Sequence, residues 1–242
     1  MTPFVLADGG PVIPNFGKAT GCIADNNSFF CTAWIHQHWS DTLQPALIQH
    51  VWLTAIAVGI GFAIAFVAAL AAHRLNWLAP PISAFAAFLS TVPSIALFQL
   101  LVPVTGITVT TIEIGLVGYT LLILFGNALA GLRSVPPDVI EAARGMGLTR
   151  LQVLRRVEVP LALPAIAAGI RIAVVTTISL ATVAAYITPY GLGKPIFDGL
   201  QINYQTEYVV AGLLAIALAL VADGVLVVVQ RALTPWRRAA AL

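Results

Sequence analysis

Charged side chains are scarce in this sequence. Asp, Glu, Lys and Arg together supply 9% of its 242 residues, whereas 59% of the residues are hydrophobic. Soluble domains carry charge on roughly a quarter of their residues, so this composition excludes an ordinary soluble domain. It is typical of a polytopic membrane protein, whose helices lie in lipid.

Catalytic motifs are also lacking. The sequence contains no nucleophile elbow, no His-Glu-x-x-His and no pair of carboxylates on one helix face. The string "GLGK" at 191–194 is not a phosphate-binding loop, because Thr188 stands where the first Gly is required and Pro195 follows Lys194. We therefore expect no catalytic residue, no cofactor and no metal, and any ATP that drives this protein must be bound by a partner.

Cysteine is limited to Cys22 and Cys31, in the stretch "GCIADNNSFFC". They bracket a polar, turn-forming segment, and outside the membrane they could close a small disulfide loop. Two unrelated thiols are one alternative. A metal site with His36 and His38 is another, although no standard ligand spacing is found. We predict the disulfide.

Long apolar runs are abundant. A helix needs roughly 20 apolar residues to cross a hydrocarbon core of about 30 Å, and five runs meet this length: 51–72, 81–103, 112–132, 161–187 and 208–230. A helix pairs the N–H and C=O groups of its own backbone, and lipid offers no other hydrogen-bond partners for them. We predict an all-α, single-domain fold with about five transmembrane helices and no internal repeat.

The basic residues predict the orientation, since short loops rich in Lys and Arg stay in the cytoplasm. If the loop 133–160 is cytoplasmic, Lys18 and Lys194 fall outside and Arg171 lies in a span. All the other basic residues are then cytoplasmic: Arg74, Arg133, Arg144, Arg150, Arg155, Arg156, Arg231, Arg237 and Arg238. This split predicts the N-terminus outside and the C-terminus in the cytoplasm.

Three regions follow from these spans. We predict an extracytoplasmic N-terminal arm at 1–49, a transmembrane domain at 50–235 that contains a cytoplasmic segment at 134–160, and a cytoplasmic tail at 236–242. The first residues show no basic start followed by an apolar core, so we expect no cleavable signal peptide.

The cytoplasmic segment contains the stretch "EAARGMGLTRLQVLRRVEVP" at 141–160, which is unusually polar for this chain. Asp138 can cap a short helix that runs to about Arg144, and Thr149 can cap a second one before Pro160. Between them Gly145 and Gly147 interrupt the helix. The small side chains in and before this break would let another protein's surface approach closely. A solvated basic loop is the alternative interpretation.

Two charged residues lie inside predicted spans, where an unpaired ionisable group is costly. Arg171 lies about ten residues from the cytoplasmic start of the fourth span, and Asp223 about seven from the cytoplasmic end of the fifth. At about 1.5 Å per residue both lie at similar depth. We predict that they pair, the alternative being that each lines a wet cavity or pairs elsewhere.

The stretch at 141–160 resembles the cytoplasmic signature of ABC-importer permeases: Glu-Ala-Ala, three residues, Gly, nine residues, then Ile-x-Leu-Pro. The matching positions are Glu141, Ala142, Ala143, Gly147, Val157, Val159 and Pro160, with Val in place of Ile and Leu. The resemblance implies a type I importer fold in a bacterial plasma (inner) membrane. It also implies that this coupling segment contacts the ATPase through Glu141, Ala142, Ala143, Gly145, Gly147 and Pro160.

Further stretches resemble the branch of the family that imports glycine betaine, carnitine and choline. They are "STVPSIALFQLLVP" at 90–103 and "GLGKPIFDGL" at 191–200. The resemblance implies two ATPase subunits, a second permease subunit that is the same or a related chain, and an extracytoplasmic substrate-binding protein. It implies no nucleic-acid partner.

Other functions compete with this interpretation. A permease of the same fold could import another small solute, such as an amino acid. A secondary transporter would show more spans or internal symmetry, and a membrane-embedded enzyme would show a catalytic cluster. A requirement for a partner ATPase separates the importer from the latter two classes.

Overall fold

A computed structural model describes residues 29–235, and every regular element in that part of the chain is helical. Four helices are long: α1 (Thr32–Arg74), α4 (Val109–Arg133), α6 (Arg150–Ala184) and α8 (Gln205–Leu233). Four are short: α2 (Ala79–Thr91), α3 (Ser94–Thr105), α5 (Pro137–Gly145) and α7 (Gly193–Gln201). The predicted all-α fold is confirmed.

The long helices are apolar enough to cross a membrane. The shortest of them, α4, has 25 residues, which at about 1.5 Å per residue exceeds the hydrocarbon thickness. The predicted spans at 51–72, 112–132 and 208–230 lie within α1, α4 and α8, and the span at 161–187 follows α6 to its end at Ala184.

The predicted second span, 81–103, is not one continuous helix. Two helical pieces, Asn76–Thr91 and Ser94–Thr105, meet at an angle of 99°. Pro93 disfavours helical backbone at the residue before it, and Val92 is extended, with φ −68° and ψ 130°. The Val92 carbonyl, which has no helical partner at the break, accepts a hydrogen bond from the Tyr119 hydroxyl. Residues 29–235 therefore contain four helices that are long and apolar enough to cross a membrane, or five spans if the bent pair crosses as one.

The N-terminal arm is helical where the structure describes it. Helix α1 begins at Thr32 and continues to Arg74 through a π-helical turn at Trp39–Leu43, so the arm boundary predicted at residue 49 lies inside a continuous helix. Cys31 is buried just before α1, beside Trp34. Cys22 lies outside the described residues, and its disulfide with Cys31 stays a prediction.

Helix α4 lies at the centre of the fold, packed against both α1 and α6. The approach to α6 is close because the contact residues are small: a Cβ at Gly131 would lie 2.9 Å from the Ala165 Cβ and 3.0 Å from the Ala162 carbonyl oxygen. Small residues at helix contacts let backbones approach in membranes, where packing replaces the hydrophobic drive.

We predict that Gly131→Val destabilises the protein. The added side chain would collide with α6, and overpacking of this kind costs about 1–3 kcal/mol. Gly126→Val is the matched control, because it places the same side chain in the same helix where nothing lies within 4 Å. Thermal unfolding in detergent should show a lower midpoint for Gly131→Val alone. Equal midpoints would contradict this account of the α4–α6 contact.

Candidate functional site

The coupling segment begins with helix α5. Pro136 precedes the helix with extended backbone and Pro137 occupies its first turn, where the missing N–H costs nothing. Asp138 lies inside this first turn, and no side chain caps the helix. The predicted Asp138 cap is therefore wrong, because the helix begins at Pro137, two residues earlier than a cap at Asp138 requires. As an acidic group Asp138 still interacts favourably with the helix dipole.

The turn after α5 depends on Gly147. Its φ of +83° is a left-handed conformation that glycine adopts without steric cost. The turn is closed by hydrogen bonds from Gly147 N–H to the Arg144 carbonyl, at 2.9 Å, and from Leu148 N–H to the Ala143 carbonyl, at 3.3 Å. Thr149 then caps α6 in a reciprocal capping box with Gln152, as the sequence indicated.

The predicted contact residues do not all face outward. Glu141, Ala142, Gly145 and Gly147 are exposed, and Pro160 is half-buried at the start of the apolar part of α6. Ala143 is only 2% exposed, so it packs inward, where a small side chain lets α5 lie close to the rest of the chain. Ala143 therefore supports the segment from inside and does not form its outer surface.

Sequence reasoning missed the apolar part of this surface. Val139, Met146 and Leu151 are 40%, 76% and 47% exposed, although they belong to the most polar segment of the chain. Exposed apolar side chains gathered on a polar segment are typical of a protein–protein contact. Together with the exposed small residues they make the surface of the segment partly apolar and open to close approach.

The base of the segment is joined to α1 by a pair of polar side chains. His73 Nε2 lies 3.0 Å from Glu158 Oε2. Glu158 is buried in a π-helical turn of α6, and His73 is near the end of α1. The sequence offered one signal that was not used: Glu158 is the only acid in the last part of the motif.

A second contact joins α1 to α6 at the opposite end. His50 is fully buried, and its Nδ1 accepts a hydrogen bond from the Leu192 N–H at 3.2 Å. The ring proton must then be on Nε2, which donates to the Ile178 carbonyl oxygen at 3.0 Å. Both ring nitrogens therefore form hydrogen bonds: Nε2 bonds to α6, and Nδ1 bonds to the loop that follows α6.

Gln49 and Gly191 complete this second contact. The Gln49 Oε1 accepts a hydrogen bond from the Gly191 N–H at 3.1 Å. Gly191 has φ +69°, and a Cβ there would lie 3.0 Å from His50 Nδ1, so no larger residue fits without strain. We call the group formed by Gln49, His50, Gly191 and Leu192 the outer latch.

The structure brings the two intramembrane charges together. Arg171 Nε and Nη2 donate to Asp223 Oδ1 and Oδ2 at 2.9 and 3.0 Å, a two-point contact that joins α6 to α8. Gln230 extends the group, with its Oε1 3.5 Å from Arg171 Nη1 and its Nε2 donating to the Pro164 carbonyl at 3.1 Å. Paired geometry of this kind lowers the cost of placing charge in a membrane.

Long apolar helices, a paired charge between two of them and an exposed polar segment define a multi-pass membrane protein. The family model described as "Binding-protein-dependent transport system inner membrane component" matches residues 61–238. The chain belongs to this family, and it is a permease subunit of an ABC transport system in a bacterial inner membrane.

Curated relatives extend the comparison. The chain is 40% identical over 199 residues to the osmoprotectant import permease protein OsmW of Salmonella typhimurium, an overlap of 80% of this chain and 92% of the relative. It is 34% identical over 188 residues to the glycine betaine/carnitine/choline transport system permease protein OpuCB of Bacillus subtilis, covering 77% and 86%.

A solved structure confirms the fold. The MetNI methionine ABC transporter in an inward-facing conformation contains a chain that superposes with a TM-score of 0.66 at 22% identity, covering 80% of this chain and 99% of the other. The predicted type I importer fold is therefore confirmed, although this degree of identity says nothing about the solute.

Exchanging the two charges tests the Arg171–Asp223 contact. We expect Arg171→Asp and Asp223→Arg each to lower the yield of monodisperse protein, because each places two like charges together inside the membrane. The double exchange restores opposite charges and should recover the yield, as measured by size-exclusion chromatography in mild detergent. A double variant no better than either single one would contradict a direct pair.

Proposed function

We propose that this chain is the membrane subunit of an ATP-driven, binding-protein-dependent importer of quaternary amine osmoprotectants, such as glycine betaine, carnitine and choline. The observation that carries the proposal is the similarity to relatives named for these solutes over most of both chains. No substrate site in the membrane is needed for this assignment.

A partner must supply the energy in this proposal. Two ATPase subunits would dock on two coupling segments, one from this chain and one from a second permease, identical or related. The exposed face of α5 and its turn supports the docking, because Ala142, Gly145 and Gly147 permit close approach while Val139 and Met146 supply apolar contact area. A substrate-binding protein would deliver the solute from outside.

The orientation follows from where basic residues gather. One cleft at the base of the coupling segment is lined by His73, Arg74, Arg144 and Arg150, and Arg133 lines a neighbouring one. The outer latch lies at the opposite end of α1 and α6. We infer that the cleft end is cytoplasmic, with the N-terminus outside and the C-terminus inside. The proposed regions are the arm at 1–49, the transmembrane domain at 50–235 and the tail at 236–242.

We infer that α1 and α6 move as one body during transport. Helix α6 begins in the coupling segment and ends at the outer loop, so a push on the segment acts directly on this helix. The His73–Glu158 pair and the outer latch fix α1 to it at both ends. The movement caused by closure of the ATPases would then be transmitted to the external loop by α1 and α6 themselves.

Two alternatives give different results. A permease of the same fold for an amino acid or another small solute would need the ATPase but would not import a quaternary amine. An ATP-independent secondary transporter would need neither the ATPase nor the binding protein. Uptake of labelled glycine betaine into proteoliposomes, with and without ATP and each partner, distinguishes all three.

Substitution of Gly147 tests the coupling segment. Gly147→Ala forces an L-residue into a left-handed conformation at a cost of roughly 1–2 kcal/mol, and it should tilt or loosen the segment. Gly126→Ala, in α4 and outside the coupling segment, is the control: Gly126 has no positive φ, and a Cβ meets nothing within 4 Å at either position. We expect Gly147→Ala alone to lower the amount of ATPase that co-purifies with the tagged permease.

Quantitative mass spectrometry of the co-purified chains gives the result. Equal ATPase recovery from both variants would remove the role assigned to the Gly147 turn. An absence of ATPase from the wild type, even after crosslinking, would contradict the proposed importer.

A further inference from the structure

A cleft lies beside the outer latch, between the end of α6 and the short helix α7. It has a volume of about 500 Å³ and is lined by Tyr186, Pro189, Lys194, Phe197, Asp198 and Gln201, with Ala185 and Leu200. Four of these residues are three or four positions apart along α7, so one face of that helix forms one wall. The opposite face of α7 is buried through Pro195 and Gly199.

The cleft contains an aromatic corner. The rings of Tyr186 and Phe197 lie 5.7 Å apart at an angle of 60°, and Tyr186 is 60% exposed. Two ring faces at such an angle can contact a quaternary ammonium group from two sides. Methylated ammonium cations are held in this way because they lack donors for hydrogen bonds and are attracted to aromatic faces.

Charges of both signs line the same cleft. Lys194 Nζ lies 2.9 Å from Asp198 Oδ2, one turn apart on α7 and next to Phe197. The Asp198 carboxylate favours a cation at the aromatic corner beside it. The ammonium of Lys194 has three donors, so it can hold Asp198 and a ligand carboxylate together.

We propose that this cleft binds a zwitterionic quaternary ammonium carboxylate as it enters the permease from outside. The trimethylammonium end contacts Tyr186 and Phe197, and the carboxylate end is bound by Lys194. This inference rests on the proposed function for its class of solute. It goes further because it assigns a binding site to the permease itself and distinguishes solutes by their carboxylate.

Saturation-transfer difference NMR on the purified permease–ATPase complex, without binding protein, tests the cleft directly. Glycine betaine and choline serve as probes at millimolar concentration, since both carry N-methyl protons but only glycine betaine has a carboxylate. We expect a signal from both with the wild type. Tyr186→Ala combined with Phe197→Ala should weaken both by about tenfold in apparent affinity.

Milder variants separate binding from folding. Tyr186→Phe keeps the ring and should keep both signals. Lys194→Gln should weaken the signal of glycine betaine and leave that of choline unchanged. Trp77→Ala removes an aromatic side chain that is 70% exposed just after the end of α1, and it should change neither signal.

The cleft is overturned if the wild type gives no signal, if removal of both rings leaves the signals equal to those of the wild type, or if Lys194→Gln affects the two probes alike. Uptake by the wild-type importer, complete with its binding protein, keeps the two proposals apart. Absent uptake of both probes overturns the proposed substrate class. Normal uptake, together with NMR signals that removal of both rings leaves unchanged, overturns only the proposal that the cleft binds the solute.

Discussion

The structure depends on the attachment of α1 to α6 at both ends. In lipid there is no water to compensate a lost polar contact, so each buried hydrogen bond between helices fixes their relative position. His50 makes a buried contact of this kind, and the partly buried His73–Glu158 pair makes the contact at the other end. The two lie about twenty residues apart on each helix, which at about 1.5 Å per residue is most of the membrane thickness. Sliding of α1 along α6 would break both.

This attachment explains why the coupling segment is built as it is. If the segment transmits force as proposed, it must keep its shape and its angle to α6. Ala143 packs inward, the capping box of Thr149 and Gln152 fixes the start of α6, and the turn at Gly147 sets the direction of α5. The outward face is left small and partly apolar, which suits contact with another protein. Rigidity inside and accessibility outside therefore come from neighbouring residues of one motif.

The features that could be predicted from the sequence are local. Apolar length located the four long helices, the position of Thr149 before an apolar-periodic stretch indicated a cap, and equal depth in antiparallel spans led to the Arg171–Asp223 prediction. Pro93 was a local signal that was not used, and the second span was therefore predicted as a single run without a break. The outer latch could not be predicted, because His50 bonds to backbone groups 128 and 142 residues away. The pattern of side chains in the sequence does not indicate which backbone groups a buried histidine will bond to.

The most direct test of the central claim is to lock α1 to α6. Val58 and Val174 line the same cleft, formed by these helices and α8, and Val58→Cys with Val174→Cys can be joined by a short, cleavable bifunctional thiol reagent. ATP-driven uptake by the reconstituted importer is then measured before crosslinking, after it and after cleavage, with each single cysteine variant as control. If the two helices move as one body, the crosslinked importer keeps its uptake rate. Uptake that is lost on crosslinking and returns on cleavage would mean that α1 and α6 move against each other, contrary to this account.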